Sequence, residues 1–279
     1  MLTPAELQQY RTDGYLIRDV LSAETIAAYR AHAEDALRAR DGARMVNLQF
    51  LQPGREVRGI QPVVANPVIR AVIADLLGGG DIVIDGASLF CAEAGVEYRQ
   101  GWHRDLMQIP DAEIDPAWFT PTHLHNYVQV NLPLLDDACL WIVAGSQSRP
   151  FDAEERAIFG GSLKMAPVDA AELRTGRQIV LRPGQAAFYN NHAVHRGYGG
   201  VLAQPRMTIH LGFHSTAHMP TPHFAVLDRH EYSADYLAGL SAEVRHALQR
   251  HLDERAKYPQ LDVYHEYHQQ FIRQEFSTR

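Results

Sequence analysis

Residues 127–135 read Tyr-Val-Gln-Val-Asn-Leu-Pro-Leu-Leu, and this stretch decides the fold class. Its even-numbered positions are all aliphatic, whereas Tyr127, Gln129 and Asn131 occupy odd-numbered positions between them. Because successive side chains of a strand point to opposite faces, this alternation predicts a strand with one apolar and one polar face. The stretch 206–213 alternates in the same way.

Further short runs rich in Val, Ile, Tyr and Phe lie on either side of these two stretches, separated by glycine and proline. They are residues 82–84, 88–91, 140–143, 178–181 and 186–189. Many short strands without intervening helices are typical of a sandwich or a closed barrel. We therefore expect a mainly β core at about 81–215.

Helical patterns flank this core. Thr3-Pro4-Ala5-Glu6 has the form of a capping box with proline at the first helical position, and a second helix is predicted from Ser22 to Gly42. Helical spacing returns after Ser241. The pattern predicts one domain over residues 1–279, with a helical N-terminal part at about 1–80 and a helical C-terminal part at about 216–279.

Composition limits the possible partners. The chain has 279 residues, a formal charge of −7, two cysteines, no long basic run and no long apolar run. An acidic chain is unsuited to nucleic acid or to an anionic membrane surface, so we expect neither as the main partner. With no signal-peptide pattern and too few cysteines for a disulfide framework, we expect a cytoplasmic protein that is a monomer or homodimer.

Histidine is abundant, with 15 residues, and His103-Arg104-Asp105 has the spacing of a metal site. On an extended chain, residues two apart point the same way, so an imidazole and a carboxylate can reach one ion. The same triplet recurs at His251-Leu252-Asp253, where the helical pattern places the two side chains on different faces. We interpret that second pair as solvent-exposed helix residues.

A third ligand and an anion-binding side chain have candidates later in the chain. His192 and His195 both follow the run at 186–189, and Arg206 shares a strand face with Thr208. The fixed fork of donors on an arginine suits bidentate capture of a carboxylate, although a lone arginine more often forms a surface salt bridge. The proline-rich connection 107–126 is long enough to be a lid or binding loop.

Four groups of residues, in this order along the chain, resemble the phytanoyl-CoA dioxygenase family of Fe(II)- and 2-oxoglutarate-dependent oxygenases. They are Leu2–Leu7 with Asp13–Ile17 and Val20–Ser22, the motif Trp102–Asp105, the stretch Cys139–Gln147, and His195 followed eleven residues later by Arg206.

This resemblance implies a double-stranded β-helix, or jelly roll, with a cupin-like core. It implies Fe(II) bound by His103, Asp105 and His195, with 2-oxoglutarate and O2 as co-substrates. Arg206, helped by Thr208, would hold the far carboxylate of 2-oxoglutarate. The implied reaction is hydroxylation, or another oxidation, of a C–H bond in a small-molecule metabolite. Ala144, Gln147 and Gly197 depart from the family pattern, which bears on the substrate class and on the co-substrate contacts.

The residues do not identify the substrate, and they are compatible with two other functions. Candidate substrate-binding residues are Tyr127, Gln129, Asn131, Trp141 and Arg104. A jelly roll with three metal ligands could also be a cupin-like hydrolase or isomerase that uses a metal-bound water, or a catalytically silent metal-binding protein. A hydrolase needs no carboxylate clamp, so Arg206 favours the oxygenase.

Overall fold

Residues 1–40, 43–223 and 232–267 are described by the structure, a computed structural model. Its α-helices in these ranges are α1 (Pro4–Asp13), α2 (Ala23–Arg38), α3 (Pro67–Leu76), α4 (Ala153–Phe159), α5 (Ala234–Ala238) and α6 (Ala242–Lys257). Its strands are β1 (Tyr15–Asp19), β2 (Met45–Gln49), β3 (Ile82–Ala92), β4 (Glu97–Arg99), β5 (Val128–Pro133), β6 (Asp137–Val143), β7 (Gly176–Leu181), β8 (Gln185–Tyr189), β9 (His195–Val201) and β10 (Arg206–Ser215).

The strands form two sheets with antiparallel pairing throughout. The larger sheet has the order β1-β8-β5-β10-β3-β2, and the smaller has the order β4-β9-β6-β7. Neighbouring strands in both sheets are distant in sequence, as in β10, which lies between β5 and β3. These mainly antiparallel sheets with flanking helices confirm the predicted jelly-roll core.

The alternation of residues 127–135 determines which side of the larger sheet is buried against helices. Val128, Val130 and Leu132 join the main hydrophobic core, together with side chains from α2, α3 and α6. Gln129 and Asn131 point to the other side, toward the smaller sheet, and lie opposite Gly212 and His210 of β10. One face of the large sheet thus anchors the fold, and the other carries the polar groups of the interior.

The predicted helix starts are present. Thr3 and Glu6 form a reciprocal capping box at α1, and the Ser22 side chain accepts a hydrogen bond from the main-chain N–H of Thr25 at α2. Helix α2 ends at Arg38, and the predicted stop at Gly42 lies outside the described residues. In the ranges that the structure describes, no helix is both long enough and apolar enough to cross a bilayer.

The first 80 residues are not wholly helical, contrary to the prediction. Strand β1 pairs with β8 and strand β2 pairs with β3, and both close the edges of the larger sheet. Edge strands need to bury little, and β1 has only one fully buried residue, Leu16. Their sequences therefore lack the clear alternation that identifies β5 and β10.

Two further differences concern strand boundaries. The runs 82–84 and 88–91 belong to the single strand β3, whose extra residue at Asp85 makes a bulge opposite Gly212 and Phe213. Gly197, Gly199 and Gly200 lie within β9, which continues past them to Val201. A Cβ at Gly197 would lie 2.7 Å from Gln100 Oε1 and 2.9 Å from the Tyr98 hydroxyl, so a side chain there would have to displace Gln100 and Tyr98.

Candidate metal centre

The main chain places His103 and His195 directly opposite each other. The N–H of His103 donates to the carbonyl of His195 at 2.8 Å, and the N–H of His195 donates back at 2.9 Å. The N–H of Asp105 donates to the carbonyl of Asn191 at 3.0 Å, on the turn that precedes β9. Main-chain hydrogen bonds thus hold three side chains from two distant segments on one side of the interior.

The side chains of these three residues converge. His103 Nε2 lies 3.7 Å from Asp105 Oδ1, His195 Nε2 lies 3.5 Å from Asp105 Oδ2, and the three ligand atoms all lie within 4.8 Å of one another. Within the described ranges no second group of three His, Cys, Asp or Glu side chains meets in this way. Two imidazoles and one carboxylate form the donor set of non-haem iron(II) oxygenases.

Each imidazole is oriented by its second nitrogen. Nδ1 of His103 lies 2.8 Å from the carbonyl oxygen of Gly101, and Nδ1 of His195 lies 2.8 Å from that of Ala193. A carbonyl only accepts, so each Nδ1 carries the proton and each Nε2 presents a lone pair to the centre.

Burial sets the protonation states that a metal requires. Burial, together with the neighbouring His195, lowers the pKa of His103 to about 4 even though Asp105 opposes the change. Burial alone would raise the pKa of Asp105, but its interactions with His195 and His103 outweigh burial and lower it. At neutral pH the centre therefore offers a neutral imidazole at His103 and an ionised carboxylate at Asp105, which suit a divalent cation.

Two residues of the large sheet support the centre. Gln129, a predicted substrate residue, donates from Nε2 to Asp105 Oδ2. Tyr189 was not predicted; its ring lies 5.1 Å from that of His195, and its hydroxyl bonds to His210 Nε2 at 3.1 Å. Tyr189 lies opposite Gln129 in the sheet. Its place in the alternation of β8 is the signal that could have identified it.

Arg206 and Thr208 point to the interior from β10, as predicted, and both contact an acidic residue that was not predicted. Nε of Arg206 donates to Asp137 Oδ2 at 2.9 Å, and the Thr208 hydroxyl donates to the same oxygen. The guanidinium carbon lies 4.4 Å above the ring of Tyr98. Nothing in the local sequence distinguishes Asp137 from its neighbour Asp136, so this partner could not be foreseen.

The Arg206 guanidinium remains suited to a carboxylate. Its Nη1 atom is buried and has no hydrogen-bond partner, because Asp137 contacts only the Nε side. Burial would lower the pKa of Arg206, but the nearby Tyr98 and Asp137 raise it, so the group stays charged. A buried, charged donor without a partner fits the far carboxylate of 2-oxoglutarate.

Two predicted substrate residues, Tyr127 and Asn131, lie in the interior near these groups. The Tyr127 ring packs edge-on against His223 at 4.3 Å, and burial raises the pKa of its hydroxyl well above the ordinary value. Asn131 lies opposite His210, and its Oδ1 atom is buried without a partner.

Two other predicted substrate residues, Trp141 and Arg104, have polar groups that already donate to main-chain carbonyls. Trp141 lies opposite Arg196 on the outer face of the small sheet, while its neighbour Ile142 lies opposite His195. Its indole N–H donates to the carbonyl of Tyr198 at 3.0 Å. The substrate role expected for Trp141 is therefore corrected, since the strand alternation turns its side chain away from the centre.

Arg104 is buried between two aromatic rings, with its guanidinium carbon 4.0 Å from the centroid of Phe119 and 4.3 Å from that of Phe151. Its Nη2 donates to the carbonyls of Ser146 and Arg149 at 2.9 and 3.0 Å. This side chain ties the connection 107–126 to the turn after β6. Its contacts indicate a structural role instead of the expected substrate binding.

His192, the alternative third ligand, lies outside the ligand group. Its ring is buried and stacks on that of His125 at 3.4 Å, with Phe119 at 5.5 Å. Residues 190–194 form a turn, so His192 is three positions before the strand that places His195 opposite His103.

The environment of the second triplet, His251-Leu252-Asp253, differs from the predicted one. Asp253 is exposed and accepts a hydrogen bond from Gln249, as a helix-surface residue does. His251 is fully buried, contrary to the prediction, and its Nδ1 lies 3.3 Å from Asp85 Oδ1. Asp85 also bonds to His214 Nδ1 at 2.6 Å, so helix α6 is attached to the large sheet through a buried polar group.

Comparisons with known proteins agree with this geometry. The sequence profile of the family described as Phytanoyl-CoA dioxygenase (PhyH) matches residues 10–208. No curated protein sequence matches the chain significantly.

Solved structures share the fold at low sequence identity. HygX from Streptomyces hygroscopicus, with nickel and 2-oxoglutarate bound, is 18% identical over 77% of this chain and 88% of its own, with a TM-score of 0.60. AviO1 from Streptomyces viridochromogenes Tue57 is 18% identical over 78% of this chain and 97% of its own, with a TM-score of 0.57. The non-heme alpha ketoglutarate dependent epimerase SnoN from nogalamycin biosynthesis is 19% identical over 76% of this chain and 80% of its own, with a TM-score of 0.56. At such identities the likeness shows a common fold.

Proposed function

The chain belongs to the phytanoyl-CoA dioxygenase family and is an Fe(II)- and 2-oxoglutarate-dependent enzyme, and we propose which of its residues carry the reaction. His103, Asp105 and His195 bind the iron, and Arg206 anchors the far carboxylate of 2-oxoglutarate. The observation that carries the proposal is the convergence of two imidazole nitrogens and one carboxylate within 4.8 Å.

Bound Fe(II), with 2-oxoglutarate and O2, supplies the oxidising power that attacks an unactivated C–H bond. The chain's own residues provide binding and orientation. The carbonyls of Gly101 and Ala193 hold the two imidazoles in the tautomer that leaves Nε2 free. Gln129 fixes the rotation of the Asp105 carboxylate by donating to Oδ2.

Asp137 orients the side chain that would bind 2-oxoglutarate. By accepting from Nε of Arg206 and from the Thr208 hydroxyl, Asp137 fixes the plane of the guanidinium and leaves Nη1 for the incoming carboxylate. Because the guanidinium is already in place, less side-chain entropy is lost when the co-substrate binds.

Residues 1–279 act as one catalytic domain in this proposal, on a small-molecule substrate, as a monomer or homodimer. A cytoplasmic location agrees with the two cysteines, Cys91 and Cys139, both of which are buried free thiols.

The test is succinate release from 2-oxoglutarate with added Fe(II) and ascorbate, in the wild type and in Arg206→Ala and Arg206→Lys. Loss of a partner from a buried ion pair costs about 2–5 kcal/mol. We therefore expect Arg206→Ala to need at least about tenfold more 2-oxoglutarate while its affinity for Mn(II), used as an inert probe for Fe(II), stays within about twofold.

Arg206→Lys is the matched control, because it keeps the charge and loses the fork, and it should fall between the other two proteins. Unchanged dependence on 2-oxoglutarate in Arg206→Ala would remove the carboxylate clamp from the proposal. Succinate release that does not depend on added Fe(II) would contradict the metal site.

A further inference from the structure

A group of stacked rings lies beside the candidate metal centre, on the connection between β4 and β5 and on the turn before β9. His125 stacks on His192 at 3.4 Å, and the rings of Phe119 and Trp118 lie 5.5 and 6.1 Å from that of His192. His192 follows Asn191, whose carbonyl accepts the hydrogen bond from the Asp105 N–H. The stacked rings are therefore connected by a single residue to a proposed iron ligand.

A cavity of 290 Å³ opens on two of these rings, those of Trp118 and His125. Its walls include Trp118 and His125 from the connection 107–126, Gln147 and Ser148 from the turn after β6, and Asn190 from the turn before β9. Every one of these wall residues has a polar group on its side chain, and Trp118 adds a large flat apolar face.

Several polar atoms of this region are buried and have no partner. Two belong to the cavity wall, Nε2 of His125 and Oε1 of Gln147, on residues that are each 9% exposed, and a third, Nδ1 of His192, lies on the ring that stacks on His125. A buried donor or acceptor without a partner costs free energy that a ligand recovers by hydrogen bonding to it. The two atoms on the cavity wall indicate a ligand that hydrogen bonds to both.

The groups that would meet this ligand are uncharged. Burial lowers the pKa of His125 to about 3 and that of His192 well below its ordinary value, so both rings are neutral near pH 7. The buried cation beside them, Arg104, already donates to two main-chain carbonyls and lies between Phe119 and Phe151. Arg11 is the one lysine or arginine among the described residues that line the cavity, and it is exposed on α1.

We infer that the substrate is an uncharged, hydroxyl-bearing ring compound such as a glycoside, held by hydrogen bonds to His125 and Gln147 and by the face of Trp118. Neutral imidazoles both donate and accept, as neighbouring hydroxyls require, and aromatic faces pack on the apolar C–H surface of such rings. An acyl-coenzyme A thioester fits less well, because its phosphates need cations and the chain carries a formal charge of −7. This inference names the substrate class of the proposed enzyme and rests on that function.

Calorimetry on the protein loaded with Mn(II) and 2-oxoglutarate tests the inference, with methyl α-D-glucopyranoside, sucrose and myo-inositol as neutral probes and decanoyl-coenzyme A as the charged one. We expect at least one neutral probe to bind with a Kd below about 10 mM and more tightly than decanoyl-coenzyme A. His125→Leu should weaken that binding about tenfold or more, and His125→Gln, which keeps a donor and an acceptor, should restore it to within about threefold.

His246→Leu is the matched control, since His246 is exposed on α6, and it should bind the probe like the wild type. The inference is overturned if no neutral probe binds, if decanoyl-coenzyme A binds more tightly, or if His125→Leu leaves binding unchanged. Iron-dependent succinate release, measured in parallel without any probe, reports on the proposed function alone. A neutral probe that binds to a protein without this release would leave the recognition site standing and remove the oxygenase proposal.

Discussion

The two His-x-Asp triplets of this chain have the same spacing and opposite environments. In His103-Arg104-Asp105, the extended main chain directs the imidazole and the carboxylate toward His195. In His251-Leu252-Asp253, helix α6 sends the two side chains to different sides. There the histidine is buried against Asp85 and the aspartate is exposed to solvent.

This comparison shows that the backbone conformation decides what a short motif can bind. Residues two positions apart on an extended chain share a face, whereas on a helix they are separated by about 200° around the axis. The first triplet also receives a third side chain from another strand. The second attaches a helix to a sheet.

The largest expected difference between the triplets is in metal binding. Asp105→Ala removes the anionic member of the first group, so we expect the affinity for Mn(II) or Fe(II) and the 2-oxoglutarate turnover to fall more than about 100-fold. Asp253→Ala removes an exposed carboxylate and should change neither by more than about twofold. Calorimetry with Mn(II) and a succinate assay on both variants measure the contrast, and wild-type turnover in Asp105→Ala would break it.

The next prediction concerns the residue that completes the first triplet. His195→Ala should lose most of the metal affinity, because its Nε2 is one of the three converging atoms. His192→Ala removes a ring that stacks on His125 and should keep Mn(II) binding within about threefold. Electron paramagnetic resonance of added Mn(II) distinguishes the two. Loss of the metal in His192→Ala with retention in His195→Ala would exchange their assignments.

For the second triplet we expect an effect on stability and none on the metal. His251→Ala removes an imidazole partner of Asp85 and creates a small cavity under α6. The free energy of unfolding should fall by about 2–4 kcal/mol, as measured by urea denaturation. Asp253→Ala should change it by less than about 0.5 kcal/mol. Reduced Mn(II) affinity in folded His251→Ala would show that the two regions are coupled.

The smallest expected effect is the pH dependence of the second region. Burial alone would raise the pKa of Asp85, but His214 and His251 outweigh burial and lower it. A carboxyl whose pKa is lowered by folding stabilises the protein above its unfolded-state pKa, and this stabilisation is lost as the pH falls through the folded-state pKa. The difference in unfolding free energy between wild type and Asp85→Asn should therefore be constant from pH 7 to about 5 and shrink below about pH 4. A difference that grows on acidification would contradict this assignment.

Much of the architecture could be predicted because it follows from local periodicity. The alternation at 127–135 and 206–213 identified two central strands of the large sheet, each with one apolar and one polar face. The Thr3 and Ser22 caps identified two helix starts. The triplet at 103–105 and the histidine at 195 could be paired because their spacing to Arg206 resembles a known family. These features require only neighbouring residues or an ordered set of motifs.

Other features depended on which distant residues meet. Asp137 bonds to Arg206 across 69 positions, and Asp85 bonds to His251 across 166. Trp141 faces away from the centre because of the register between β6 and β9.

The sequence by itself predicted the mainly β class, the two faces of the central strands and, through a family resemblance, His103, Asp105 and His195 as candidate metal ligands. The tertiary structure decided which charges are already paired, which histidines are buried and which face each strand of the small sheet turns inward. The physical reason is that side-chain alternation is a property of one strand, whereas register and ion pairing are set by contacts between segments far apart in the chain.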